Sequence, residues 1–299
     1  MARVINSGQT DTLVVQNKSI KAIDLTTFAK SSTNNQYAVV NHKGSTIRAT
    51  LYRDGAATTI LSGNVWALTK SGYFFDGSFD FDETPSTGSS HIIAVAKSSS
   101  VKGEYWTPMM IPLGGIINIK GNDRLEIELQ CDFAGTYCDT AASYVNLDVT
   151  ECVGLEFVTP VTRAFALQAG QSELTKSLGN NVTNIIGVTS ESNSLTANQI
   201  FTNVQVTSDK VKTTYNYGQL IAQRAAQFEG NFERDHSFCF YTGGNELDNC
   251  NLDLQLDASN ISAGQVYVVA QSYHVKRATI AKARRRAQKH ARKRTAKLG

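Results

Sequence analysis

No hydrophobic run in the chain approaches the ~20 residues that a membrane-spanning helix needs. The longest nearly apolar stretch, Met109–Ile117, is broken by Pro112, Gly114 and Gly115, so a transmembrane protein is not expected. Cysteine is scarce: Cys131, Cys138, Cys152, Cys239 and Cys250 are too few for a disulfide scaffold and odd in number, and are expected as small buried hydrophobes. The opening MARVINSGQTDTLVV lacks a basic segment followed by an apolar one, so no secretory signal is expected and synthesis is placed in a cytoplasm. Catalytic motifs are missing as well. The five histidines (His42, His91, His236, His274, His290) form no H-x-x-x-H pair, and His236 with Cys239 lacks the further ligands that a closed zinc site needs. Without a G-x-S-x-G elbow, a P-loop or a dinucleotide fingerprint, no enzyme is expected.

What is present begins with an uneven distribution of charge. The formal net charge of +3 divides into a segment from Lys276 to Gly299 with eleven Lys/Arg and no Asp or Glu, and a body of 18 basic against 26 acidic residues. The segment is rich in Ala, Arg and Lys, so a helix can form there once a polyanion neutralises the repulsion. Arg284, Arg285, Arg286, Lys289, Arg292, Lys293 and Arg294 are the candidate contacts to phosphate, whether of anionic lipid headgroups or of nucleic acid.

At 41% hydrophobic and 18% charged residues the body can bury a core. It reads as short strands between polar turns: Leu13–Val15, Tyr37–Val40, Ile47–Tyr52, Ile60–Leu68, Ile92–Ala96 and Ile116–Ile119, then the alternating Leu125–Leu129, Tyr144–Val149 and Leu155–Val158. After Pro160 the pattern restarts with Ala164–Leu167, Val182–Val188, Ile200–Val206, Phe238–Tyr241, Leu252–Leu256 and Val266–Tyr273. Two all-β domains in tandem follow, residues 1–155 and 156–275, with 276–299 as a basic tail. One helix is expected, over Tyr217–Glu229, with Asn216 as its N-cap and Gly230 stopping it.

Asp76, Asp80, Asp82 and Glu83 supply hard oxygen ligands suited to calcium, but their spacing is not that of an EF-hand loop. The interleaved Phe75, Phe79 and Phe81 favour a strand with aromatics inward and carboxylates outward, so no cofactor is expected, with calcium at these carboxylates as the alternative.

The phrases IPLGGIINIKGNDRLEIEL (Ile111–Leu129), CVGLEFVTPVTRAFAL (Cys152–Leu167) and NLDLQLDASNISAGQVYVVAQSYHV (Asn251–Val275), set in two strand-rich halves with a basic end, resemble the major capsid proteins of tailless, membrane-containing icosahedral bacterial viruses. This tectivirus, corticovirus and finnlakevirus group is built on tandem jelly rolls. The resemblance covers about residues 10–275. It implies an all-β double jelly roll, homotrimers with a pseudohexagonal footprint, and an icosahedral shell in the virion. It also implies contacts with neighbouring capsomers and with vertex or penton proteins, and an inner face turned toward lipid or genome. The alternative is a viral spike or a receptor- or carbohydrate-binding tandem β-sandwich, against which stand an aromatic content of only 9% and two tryptophans, Trp66 and Trp106.

Overall fold

A computed structural model describes residues 2–32, 39–76, 95–96, 104–107, 109–136, 138–156, 158–189, 200–209, 212–216, 219, 237–241, 246–261 and 266–274. The chain runs β1 (Arg3–Asn6), β2 (Thr10–Val15), β3 (Ser19–Ser31), β4 (Val39–Asn41), β5 (Thr46–Arg53), β6 (Ala56–Asn64), α1 (Val65–Asp76), β7 (Val95–Ala96), β8 (Glu104–Thr107), β9 (Met110–Asn118), β10 (Arg124–Gln130), β11 (Ala134–Thr136) and β12 (Cys138–Glu151). It continues through β13 (Thr159–Ala166), β14 (Glu173–Gly179), β15 (Val182–Thr189), β16 (Phe201–Thr207), β17 (Lys212–Asn216), β18 (Ser237–Tyr241), β19 (Cys250–Leu256) and β20 (Val266–His274).

Strand order identifies the architecture. In the first half one sheet is ordered β1-β12-β3, with β9 and β8 pairing successive stretches of β3 and β7 beyond β8, and the facing strands run β2-β10-β5-β6. Numbering the principal strands β1, β2, β3, β5, β6, β9, β10 and β12 from one to eight, these orders are 1-8-3-6 and 2-7-4-5. The second half repeats both, as β13-β20-β15-β18 and β14-β19-β16-β17. Two four-stranded sheets with this wiring make a jelly roll, so the chain is a double jelly roll.

The two rolls are fused through one sheet. Strand β13 pairs in parallel with β6 through Thr162↔Leu61 and Arg163↔Ser62, giving a continuous eight-stranded wall, β18-β15-β20-β13-β6-β5-β10-β2. Side-chain alternation then assigns its two faces. On β20, Tyr267 and Val269 join the core of the first roll, while Val266 and Val268 join that of the second. On β15, Ile186 and Val188 go one way and Ile185 the other. Buried on both sides, these strands read as unbroken apolar runs, Val266–Ala270 and Ile185–Val188, whereas LEIEL in β10 alternates because its other face is wet.

The sequence expectation of a strand over Ile60–Leu68 is corrected. The strand ends at Asn64, whose side-chain oxygen accepts the Ala67 N–H (3.1 Å) and caps α1. The helix lies on the wall between the rolls, with the Trp66 ring 5.9 Å from that of Tyr267. Phe74, Phe75 and Asp76 are therefore helical, not part of the inward-aromatic strand expected there, and 77–83 lie outside the described residues. Of the expected helix Tyr217–Glu229, only Gln219 is described.

The parallel seam also gives both rolls the same polarity. At one end lie the connections 16–18, 54–55, 119–123, 152–156 and 180–181 and residues 208–209 and 246–249, and there the chain enters β1 and leaves β20. Turn chemistry at this end is tight: Asp54 and Gly55 both have positive φ (53° and 78°), as a two-residue hairpin turn requires. At the opposite end the chain leaves β6, β15 and β17 and rejoins β9, β16 and β18, over the longest separations in sequence between consecutive principal strands.

Candidate functional site

Among the described residues no group of His, Cys, Asp or Glu could hold a metal ion, and no helix is long and apolar enough to cross a membrane. Asp76 closes α1, while Asp80, Asp82 and Glu83 lie outside the described residues, as do Arg284, Arg285, Arg286, Lys289, Arg292, Lys293 and Arg294. The start of the basic segment is nonetheless fixed by β20. His274 pairs with Thr159, and the Tyr273 N–H donates to the Asn181 carbonyl (3.1 Å), so the chain leaves β20 at the end of short turns.

Two of the thiols, Cys131 and Cys250, are ill suited to nucleophilic chemistry. Burial pushes Cys131 up to about 12, with the Asp132 charge adding to it, and burial alone pushes Cys250 to about 11.

The cluster that most resembles a catalytic group is sealed. His42 is fully buried, its Nε2 2.8 Å from the Thr27 hydroxyl and its Nδ1 3.0 Å from the Ser45 hydroxyl, which in turn accepts the Asp132 N–H. Two hydroxyls satisfy both ring nitrogens of a neutral imidazole. Burial holds its pKa down to about 4. An unfolded His42 takes up a proton near the ordinary value of 6.5, whereas the buried one does not until about 4. Stability is therefore whole above pH 6.5 and is lost as pH falls toward 4, by about 3 kcal/mol in all. Urea titrations at pH 7 and pH 4.5 should show a smaller drop in His42→Gln than in the parent; equal drops would remove His42 as the cause.

A second buried polar cluster ties the inter-roll linker to the first roll. The Arg53 guanidinium donates to both Glu156 oxygens (Nη1 to Oε1 2.7 Å, Nη2 to Oε2 3.0 Å), to Asp123 Oδ2 (2.8 Å) and to the Asn118 carbonyl (2.6 Å). Glu156 also accepts the Thr159 hydroxyl (2.7 Å) and the Asn118 N–H (2.8 Å). Burial pushes the Glu156 carboxyl up, but Arg53, Thr159 and Asn118 outweigh it, and its pKa is lowered.

The outer surfaces differ in character. On the sheet containing β3, Tyr144, Phe28 and Trp106 form a cross-strand row, with Phe28 stacked on Tyr144 (4.8 Å) and edge-on to Trp106 (5.4 Å), and Met110 and Val4 are also exposed there. The outer surface of β16 and β19 carries a cross-strand amide pair in which Asn203 donates to Gln255 (2.9 Å). At the end of short turns Val153 stands fully exposed and Leu155 is 69% exposed. The sequence offered no warning of that pair, which sits in a linker with a carboxylate on either side.

No protein-family model matches the sequence, and no curated protein matches it. Similarity is found among solved structures. The crystal structure of the STIV MCP aligns at a TM-score of 0.56 and 14% identity, over 92% of this chain and 94% of that one. A chain of the atomic structure of Sulfolobus turreted icosahedral virus aligns at a TM-score of 0.56 and 15% identity, over 91% of this chain and 88% of that one. Across nearly the whole of both chains, the fold shared is the double jelly roll.

Proposed function

We propose that this chain is the major capsid protein of an icosahedral virus, acting by packing against copies of itself. The observation that carries this reading is the repeated strand order. Two rolls of identical wiring stand side by side, the same way up, in one continuous wall. Three such chains around an axis present six similar wedges, the pseudohexagonal footprint that tiles a flat facet. The likeness in fold to the STIV major capsid protein supports the reading. So does the outer sheet face where exposed Trp106 continues into half-buried Phe28 and Tyr144, since an apolar patch on such a face marks an association surface. The phrases within Ile111–Leu129 and Asn251–Val275 favour a tailless bacteriophage with an internal membrane.

In this arrangement the end of short turns faces inward, because the chain leaves β20 there toward the eleven cations of 276–299, which require an anionic partner. The opposite end faces out, and the β-walls form the lateral contacts with neighbouring capsomers and vertex proteins.

Sedimentation and electron microscopy of the purified chain test the proposal. Trimers of the 32.5 kDa chain with a six-sided outline are expected; a monomer at every concentration would overturn it. Deleting 276–299 should leave the trimer folded and strongly reduce particle yield, scored by density-gradient centrifugation. An undiminished yield would refute the inward tail.

A further inference from the structure

The linker between the rolls inverts the usual surface pattern. In Glu151–Glu156 the two carboxylates are engaged, Glu151 with Lys18 and Glu156 in the Arg53 cluster at only 11% side-chain exposure, while Val153 and Leu155 point into solvent. The strap holding them is fixed at several points. The Cys152 N–H donates to the Ser19 carbonyl (2.9 Å), Gly154 packs on the Ile116 side chain, and Glu156 Oε2 receives the Asn118 N–H (2.8 Å). A strap that flexed freely could fold these side chains back; one anchored on both flanks presents them.

The strap lies at the end where the chain leaves β20, beside the Thr159–His274 pair. An apolar pair at the end from which the chain departs toward a run of eleven cations suits a surface that is anionic outside and hydrocarbon beneath. Nucleic acid would answer the cations and leave the two aliphatic side chains in water. The charged side chains described at the turns of this end are of both signs, Lys18, Lys120, Arg124 and Lys212 against Asp54, Asp123, Glu151, Asp209, Glu246 and Asp248, so attraction to an anionic surface comes from 276–299 and insertion from the strap.

We infer that Val153 and Leu155 are a lipid contact, entering the headgroup boundary of an anionic bilayer that the basic segment draws near. The inference rests on the capsid reading only for where such a surface is met, and it names the partner of the inward end. The full chain is mixed with vesicles of phosphatidylcholine containing phosphatidylglycerol, or of phosphatidylcholine alone, and bound protein is measured by flotation. The parent should float with the anionic vesicles, and V153S/L155S should partition about tenfold more weakly, having lost two exposed aliphatic groups. Because both side chains are exposed, the double variant should melt as the parent does, so the loss is not one of folding.

Equal flotation of parent and variant, or no flotation of the parent, overturns the inference. So does a variant that keeps its vesicle binding but loses self-association, since the pair then fits a second copy, or one that loses binding to a DNA duplex equally. Particle formation is scored apart from flotation. A chain that forms no particles yet loses vesicle binding with the pair sinks the capsid reading and leaves the lipid contact standing.

Discussion

Replacing Gly63 with alanine should cost about 4 kcal/mol of stability, the sum expected of an overpacked contact and a disfavoured backbone conformation. Gly63 lies in β6, one residue beyond the two registered pairs that join the rolls, and its φ of 137° is in a region that suits glycine. A Cβ there would fall 2.6 Å from the Ala164 Cβ and 2.9 Å from the Ala164 carbonyl oxygen. Neither neighbour can yield cheaply, because one is backbone and the other is fixed to the backbone of β13. The clash would part the strands where the seam is shortest. Urea denaturation should show a lowered midpoint, and adding Ala164→Gly should recover part of the loss, since it relieves the Cβ contact but not the carbonyl one. An unchanged midpoint in Gly63→Ala would mean that the strands do not approach so closely.

Arg53→Ala should be of similar size, about 3–5 kcal/mol at pH 7, because it leaves the largely buried Glu156 and Asp123 carboxylates without their counter-charge. Arg53 is only 15% exposed, so water cannot readily replace the guanidinium. Lysine should not substitute, lacking the fork that reaches both Glu156 oxygens and Asp123 together. The sign of the pH dependence follows from Glu156. Its folded pKa is lowered, so the stability it confers is present above the ordinary carboxylate range and is lost as pH falls through the folded value. The gap between parent and Arg53→Ala should therefore narrow in acid. A double replacement, Arg53→Met with Glu156→Met, should be milder than Arg53→Ala, since it removes the stranded charge. Equal stability of parent and Arg53→Ala at pH 7 would show the cluster to be ornamental.

How much of this the sequence discloses depends on how many faces of an element are buried. LEIEL of β10 and LDLQL of β19 each have one dry and one wet face, and their alternation is plain. Strand β3 hides because its inward positions include Thr27 and Ala29 and its outward ones include Phe28, inverting the expected polarity of individual residues. Helix α1 hides for another reason. Val65, Trp66, Ala67 and Leu68 are all buried, so they carry no helical period and read as the end of a strand. The available signal was Asn64 placed as an N-cap, with its side-chain amide also donating to the Lys43 carbonyl (2.6 Å). The Arg53 cluster is illegible in principle, since it joins residues 103 positions apart that meet only after three separate turns have formed. The cationic segment is the reverse case: its composition is evident in the sequence, and the fold adds the end from which it departs.

The shared polarity of the two rolls bears on their use as a display scaffold. The chain leaves β15 at Thr189 and rejoins β16 at Phe201, at the end opposite the one where β1 begins and β20 finishes. A foreign epitope grafted between them would be held away from any purification tag appended to the chain's ends. Each wall would stay intact, because β15 and β16 belong to different sheets and are not ladder partners.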